Sequence, residues 1–586
     1  MGKNMGKNMG LNQSMSRSGF VKTVGVGMAA AATGLGGVAR ADAATAQIAR
    51  NPYTRKISDD TIEVYPINPA RVPPADENAL ESHGTVFNRT DVGNVQMAVD
   101  YVPVGGTVIL RSADKFGEIR PFDFGTDGSV KLTKSVKIIG ETDGVPVNRS
   151  DGSGILFPNG TPLTQIVGGN TVFNSSIPAS VVQNDGTEEY VTVLGPDVTV
   201  QGIHFSGATG SPIFVEYCNN ANISGNMIDS ITPKYNKYVP CWYSSRAGDP
   251  TTDLCPPYTS SYAYAGDFYY AFGIDMNPRL GRGNYVRDAV TGTVIVKNNH
   301  IDVDYLLHQT PYEEATLSRT VANGMEIVYV TNAVITIAEN EVHNTNRTGI
   351  AVIEVKNRTQ SASTYGNSEV YIQNNYVTTA TKGCPTPTTT MPVGIVPGTL
   401  FSEKCPGTYF EVSHNHVEVY ATLPSNLAAS GMNLITEDGM YVHHNQISVG
   451  GKASNRGIMI IGSSGCTVAD NNITGSGQAA ILVTSFNNIY RYPTKNYTPW
   501  LGPLATPANY NTISGNIFSG FNAWPGVPTS GYAVYFAPVS AGQNAKFNLL
   551  YGGSGGRYFN DSYSLQIYPV PPSTGGNSID TTLFYP

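Results

Sequence analysis

Asp275 and Glu326 stand in matching local contexts, Gly273-Ile-Asp275-Met and Gly324-Met-Glu326-Ile. In each, the flanking residues are apolar, so on an extended strand they point one way and the carboxylate the other. As neighbouring strands the two segments would lie roughly 4.8 Å apart. Carboxylates that close repel, which raises the pKa of one and makes an acid/base pair. Glycoside hydrolysis uses such a pair on either side of the scissile bond. The alternatives are a solvated face with scattered charge, or an alignment off by one residue, which turns both side chains inward.

Nearby turns add Arg347, Glu354, Lys356, Glu437 and Asp438, which suit the hydroxyl or carboxylate groups of a substrate. A lyase would need a base and a group that neutralises a uronate, and Lys356 with Arg347 is the nearby pair for that. Just upstream, 233–272 is dense in aromatics, including Trp242, Tyr243, Tyr269 and Tyr270. Flat rings with polar tips suit stacking under sugars, or else they form a satellite core for their own loop. A second aromatic stretch spans 486–510. A further ladder contains His300 and Asp302, Glu341 and His343, Tyr376, then His416 and Glu418. Imidazole and carboxylate on adjoining strands can hold a divalent cation such as calcium, the alternative being solvent-facing or hydrogen-bonded histidines.

All these readings need strands stacked in register, and the sequence supplies a repeat that does this. Gly431-Met-Asn-Leu is followed by Asn445, and Gly457-Ile-Met-Ile by Asn471, each at a distance of 14 residues. The pattern apolar-x-x-Asn-x-apolar occurs at Asn226, Asn299, Asn340, Asn375, Asn415, Asn445, Asn471 and Asn516. Short repeats of this length mark stacked coils. The asparagines fall where the chain must bend, tolerate left-handed or bridge geometry, and can bond to one another along the stack. They are scaffold rather than chemistry.

On these repeats the sequence resembles the right-handed parallel β-helix proteins of the pectate-lyase-like superfamily. The segment from Asn94 to Leu110 looks like their N-terminal capping helix and first strand, and Val136–Gly140 and Val198–Phe205 look like early coils, with Ile203 in the asparagine position. The resemblance implies an all-β solenoid of about ten coils over residues 85–540. It says little about activity, because this fold hosts lyases, hydrolases, epimerases and adhesins. The polygalacturonase set Asn-Thr-Asp, Gly-His-Gly and Arg-Ile-Lys is absent, as are the Arg-x-Pro-x-x-Arg of pectate lyases and the Asp-Pro-His-Asp of alginate epimerases.

The composition is common among exported proteins, and the N-terminus reads as an export signal. Residues Ser16 to Lys22 resemble a twin-arginine signal with Ser18 in place of the second Arg, and small-residue cleavage sites follow at Ala41 and Ala43. The apolar run is too short for a membrane span. Cleavage after Ala43 removes five basic residues and one acidic one, taking the formal net charge from −8 to −12. An acidic body has no basic face for nucleic acid, so the expected partner is an extracellular polysaccharide. In an exported chain, Cys241 with Cys255 and Cys384 with Cys405 read as disulfide staples of two loops, and Cys218 and Cys466 as buried thiols. The expected order is a signal at 1–43, a linker or cap at 44–84, the β-helix at 85–540 with insertions 233–272 and 486–510, and a C-terminal cap at 541–586. The expected function is an exported glycan-cleaving enzyme, a hydrolase more than a lyase. The competing class is a non-catalytic surface or carbohydrate-binding protein.

Overall fold

A computed structural model describes residues 51–71, 90–175, 195–229, 290–303, 320–353, 368–379, 392–398, 407–421, 428–484, 508–521 and 531–536, with single gaps inside some of these and short strands between them. The central described rungs each supply three strands. One rung consists of Thr320–Val328, Val330–Ala338 and Glu341–Thr345, and the next of Thr348–Ile353, Glu369–Gln373 and Tyr376–Thr379. Every strand pairs in parallel with its counterpart, as Met325 with Ile350, Ile337 with Ile372 and Val342 with Val377. Crossovers between parallel strands are right-handed, and the whole is a right-handed parallel β-helix, the fold the resemblance implied.

Alternation decides what lies inside. Met325, Ile327, Ile335, Ile337 and Val342 are fully buried, and their equivalents on successive rungs join one continuous apolar core. Burying each such side chain stabilises the fold by about 1.5–3 kcal/mol. The glycine of each Gly-apolar-x-apolar strand faces the same interior. A Cβ on Gly349 would stand 2.2 Å from Val377 Cγ1, so the column of glycines lets one strand approach the strand opposite.

The eight asparagines are buried and form a single column. The Nδ2 of Asn340 donates to Asn375 Oδ1 (2.9 Å) and to Val296 O (2.9 Å), and Asn375 repeats this toward Asn415 (2.9 Å) and Ile337 (3.0 Å). Where the column begins, Ile203 contributes only its N–H, which donates to Asn226 Oδ1 at 3.2 Å. One expectation is corrected. The left-handed residue is the one before the asparagine: Gly225, Asn298, Glu339, Asn374, His414, His444, Asp470 and Gly515 all have φ between 53° and 63°. The turn is made one residue early so that the asparagine can point inward.

The helix Asp91–Tyr101 caps the first rungs. Thr90 accepts from Gly93 N–H at 3.2 Å, an N-cap bond. Val95, Ala98 and Val99 on its inner face join the core. Within 44–84, the strand Thr61–Val64 pairs in parallel with Gly106–Leu110. Past residue 540, Leu549–Ser554 and Ser578–Asp580 continue the parallel stack.

Candidate functional site

The strands Tyr269–Met276 and Thr320–Val328 run parallel with Ile274 opposite Met325, Asp275 opposite Glu326 and Met276 opposite Ile327. The four apolar residues are fully buried in the core, so the two carboxylates share the other face of the sheet on adjacent rungs. That face is not solvated. Asp275 is 5% and Glu326 1% exposed. Farther along it, Val328, Ala351, Ile353, Val393, Val396 and Ile435 form an apolar cluster of their own.

Among the described residues, Asn323 and Ser211 bring polar side chains to this pair. Asn323 Nδ2 donates to Glu326 Oε2 at 3.3 Å, while Asn323 Oδ1 accepts from Thr348 N–H at 3.1 Å, which fixes the amide. Ser211 Oγ lies 3.5 Å from Asp275 Oδ2. Glu326 Oε1 has no hydrogen-bond partner among the described residues. Burial first, and the neighbouring Asp275 second, push the Glu326 carboxyl up to about 8. At neutral pH it therefore carries a proton, and the pair includes one protonated acid.

The other expected substrate contacts fall in different places. Arg347 immediately precedes Thr348, is half-buried, and burial lowers its guanidinium to about 9. Glu437 is buried and Asp438 exposed on the turn after Ser430–Ile435, where Asp438 Oδ1 accepts from Ser464 N–H at 2.7 Å. On the carboxylate ladder Ala351 and Val396 separate Glu326 from Asn433, so this turn lies rungs away from the pair. The backbones of Tyr269 and Tyr270 pair with Thr320 and Val321, and only the backbone is described there. Trp242, Tyr243, Glu354, Lys356, Cys241, Cys255, Cys384 and Cys405 lie outside the described residues. Cys218 is a buried free thiol, and Cys466 is buried with its Sγ 3.7 Å from Glu437 O.

A second group of chemical residues lines the sheet that follows the asparagine corner. His300, Glu341, Tyr376, His416 and Gln446 occupy one register position on successive rungs. His300 Nδ1 lies 3.4 Å from Glu341 Oε2, and His343 Nε2 lies 2.9 Å from Glu341 Oε1. His343 Nδ1 is 3.0 Å from Thr378 Oγ1. Burial would raise the Glu341 carboxyl, but bonds from His300, His343 and Ser150 outweigh it and hold the group far below the ordinary carboxylate range. Asp302, expected with this set, does not join it: Asn344 Nδ2 binds both of its oxygens, at 3.0 and 3.1 Å.

Sequence reasoning missed what covers this sheet. The antiparallel pair Val147–Asn148 and Ile155–Phe157 carries a short strap across four rungs, from that of His300 to that of His416. Asn298 Nδ2 donates to Ile155 O at 2.9 Å, Ser150 binds Glu341, and Asp151 Oδ2 is 3.4 Å from His416 Nδ1. Arg149 Nε pairs with Asp151 Oδ1 at 3.3 Å beneath the strap. The only sequence signal was a run of turn-forming polar residues, Arg149 to Asn159, which does not say where the turn docks.

No family model matches the sequence, and no curated protein matches it. Solved structures similar to the chain include a PL6 alginate lyase in complex with a trisaccharide (9% identity, 84% of this chain and 82% of that one, TM-score 0.39). Another is the A-module of a mannuronan C-5 epimerase from Azotobacter vinelandii (12% identity, 85% of this chain and 98% of that one, TM-score 0.34). A third is tailspike protein 3 of bacteriophage CBA120 (10% identity, 93% of this chain and 68% of that one, TM-score 0.36). The parallel β-helix of this chain rests on its own strand registers.

Proposed function

We propose that the protein is an exported polysaccharide-active enzyme, a glycoside hydrolase rather than a lyase, with Glu326 as general acid and Asp275 as its partner carboxylate. The observation that carries this reading is the register pairing of the two residues on adjacent strands. Strand spacing of roughly 4.7–4.9 Å is close to the separation of about 5–5.5 Å found in retaining glycosidases, where the second carboxylate is the nucleophile. A protonated Glu326 beside Asp275 supplies the division of roles that such a reaction needs. Residues 1–43 serve as the export signal in this reading.

A second reading, a non-catalytic carbohydrate-binding or surface protein, is favoured by one observation, the near-complete burial of both carboxylates. One assay separates them. The mature protein is incubated with a polysaccharide panel while new reducing ends and the ultraviolet absorbance of unsaturated products are followed. Reducing ends without unsaturated products, lost in both Asp275→Asn and Glu326→Gln, support the hydrolase. Unsaturated products would mean a lyase, binding without products the second reading, and cleavage retained in both variants removes the pair from the mechanism.

A further inference from the structure

We infer that His300, Glu341 and His343 form a binding site for one dication of the zinc class, independent of the Asp275–Glu326 pair. The site is built on two rungs. His300 lies opposite Glu341 on the neighbouring strand, and His343 follows Glu341 by two residues, so all three side chains leave the same face of one sheet. One donor atom from each falls within 4.8 Å of the other two. The carboxylate lies between the rings, with His343 Nε2 on one oxygen and His300 Nδ1 on the other. Zinc–ligand bonds of about 2.0–2.2 Å in a tetrahedral shell place donors roughly 3.3–3.6 Å apart, so small adjustments close these three around an ion.

The surroundings hold the donors in place. His343 Nδ1 reaches Thr378 Oγ1 at 3.0 Å, which presents Nε2 to the site. Ser150 N–H donates to Glu341 Oε1 at 3.1 Å from the overlying strap. Such outer contacts set ring orientation and ligand basicity in metal sites. The donor set also decides between metals. Two imidazole nitrogens and one carboxylate suit zinc, copper or nickel, whereas calcium takes six to eight oxygens. The calcium expected from sequence is replaced here by a transition metal, and Asp302, turned toward Asn344, is not a ligand. Three protein donors leave a fourth position open to water.

The test uses the full-length protein, stripped of metal with a chelator, titrated with Zn²⁺ by calorimetry and with Co²⁺ by visible absorption. The expected result is one equivalent bound, a Co²⁺ band of low-symmetry coordination, and no competition from millimolar Ca²⁺. His343→Ala and Glu341→Gln should each weaken binding on the order of 100-fold. Thr378→Ala, which removes no ligand, should weaken it about 10-fold while circular dichroism stays unchanged. If Glu341→Gln does not fold, His343→Ala and Thr378→Ala carry the test. The other imidazole cluster, in which His443 Nδ1 lies 2.8 Å from His444 Nδ1, provides the control: His443→Ala should leave binding intact. Absence of stoichiometric binding, equal competition by Ca²⁺, binding that survives His300→Ala with His343→Ala, or loss with His443→Ala instead would each overturn the assignment and leave ordinary histidine–carboxylate hydrogen bonds.

Discussion

Ser150 N–H donates to Glu341 Oε1 at 3.1 Å across 191 residues of chain. Its hydroxyl reaches the same oxygen, so one residue of the strap satisfies a buried carboxylate on a distant rung. Ser150→Ala removes the hydroxyl bond and keeps the backbone one. A hydrogen bond to a charged group contributes about 1.5–3 kcal/mol. Amide hydrogen exchange in 149–155 should therefore quicken by at least about tenfold, with little change in strands remote from the strap. Unchanged exchange would show that Asp151 and Asn298 suffice to hold it.

Glu326 makes stability fall as pH rises. Its carboxyl titrates at about 8 in the folded chain against 4.5 in the unfolded one, chiefly through burial. Between these values the folded state keeps a proton that the unfolded state has lost, so the penalty grows through that window and is complete above it. Over the window it is on the order of 5 kcal/mol. Glu326→Gln mimics the protonated acid and should remove this slope: relative to wild type, the variant gains stability in urea at pH 8.5 and little at pH 5. Parallel pH profiles would mean that Glu326 ionises normally.

The asparagine column and the glycine column were legible because each repeats a residue type at one position of successive rungs, and period alone predicts stacking. The pairing of Asp275 with Glu326 followed from the same alignment. What period cannot encode is what lies over the outer face. The burial of the two carboxylates depends on that cover, and the docking of Ser150 on Glu341 joins segments that share no repeat. The left-handed residue was misplaced for a local reason: asparagine has two uses at a corner, a backbone one and a side-chain one, and the column takes the second while Asn298, Asn374 and others take the first.

Two glycines separate crowding from backbone strain. Gly349 has no room, since a Cβ would meet Val377 Cγ1 at 2.2 Å and Gly394 O at 2.7 Å. Gly349→Ala must move one rung against the next and should cost at least about 1–3 kcal/mol, the range for overpacking, with expression of insoluble protein as the extreme. Gly225 has space, its nearest neighbour being Gly202 N at 4.0 Å, but its φ is 63°. Gly225→Ala should cost about 1–2 kcal/mol, from the left-handed backbone alone. Gly225→Asn should recover much of that, because asparagine holds the equivalent position at Asn298 and Asn374. Equal losses for Ala and Asn in urea unfolding would rule out backbone strain as the cause.

The asparagine column predicts a gradient of sensitivity from its middle to its end. Asn375 accepts from Asn340 N–H (3.0 Å) and Nδ2 (2.9 Å), and donates to Ile337 O and Asn415 Oδ1. Asn375→Ala therefore leaves the buried N–H of Asn340 without its acceptor and takes a donor from Ile337 O. At about 1–3 kcal/mol for each buried group left unsatisfied, the loss should be roughly 3–5 kcal/mol. Asn516 closes the described column: it accepts from Asn471 and donates to Val468 O at 2.9 Å, with no further asparagine above it among the described residues. Asn516→Ala likewise strands the N–H of Asn471 and the carbonyl of Val468 but breaks no bond to a next asparagine, so it should cost about 1 kcal/mol less. Asn375→Asp is the sharper probe, because a carboxylate in this position sets an oxygen against Asn415 Oδ1 and buries a charge. Its loss should exceed that of Ala at pH 7 and shrink toward pH 4, where the added acid can take a proton and donate. Urea midpoints for the three variants at both pH values check the order, and equal losses at Asn375 and Asn516 would show that the asparagines act singly rather than as a connected column.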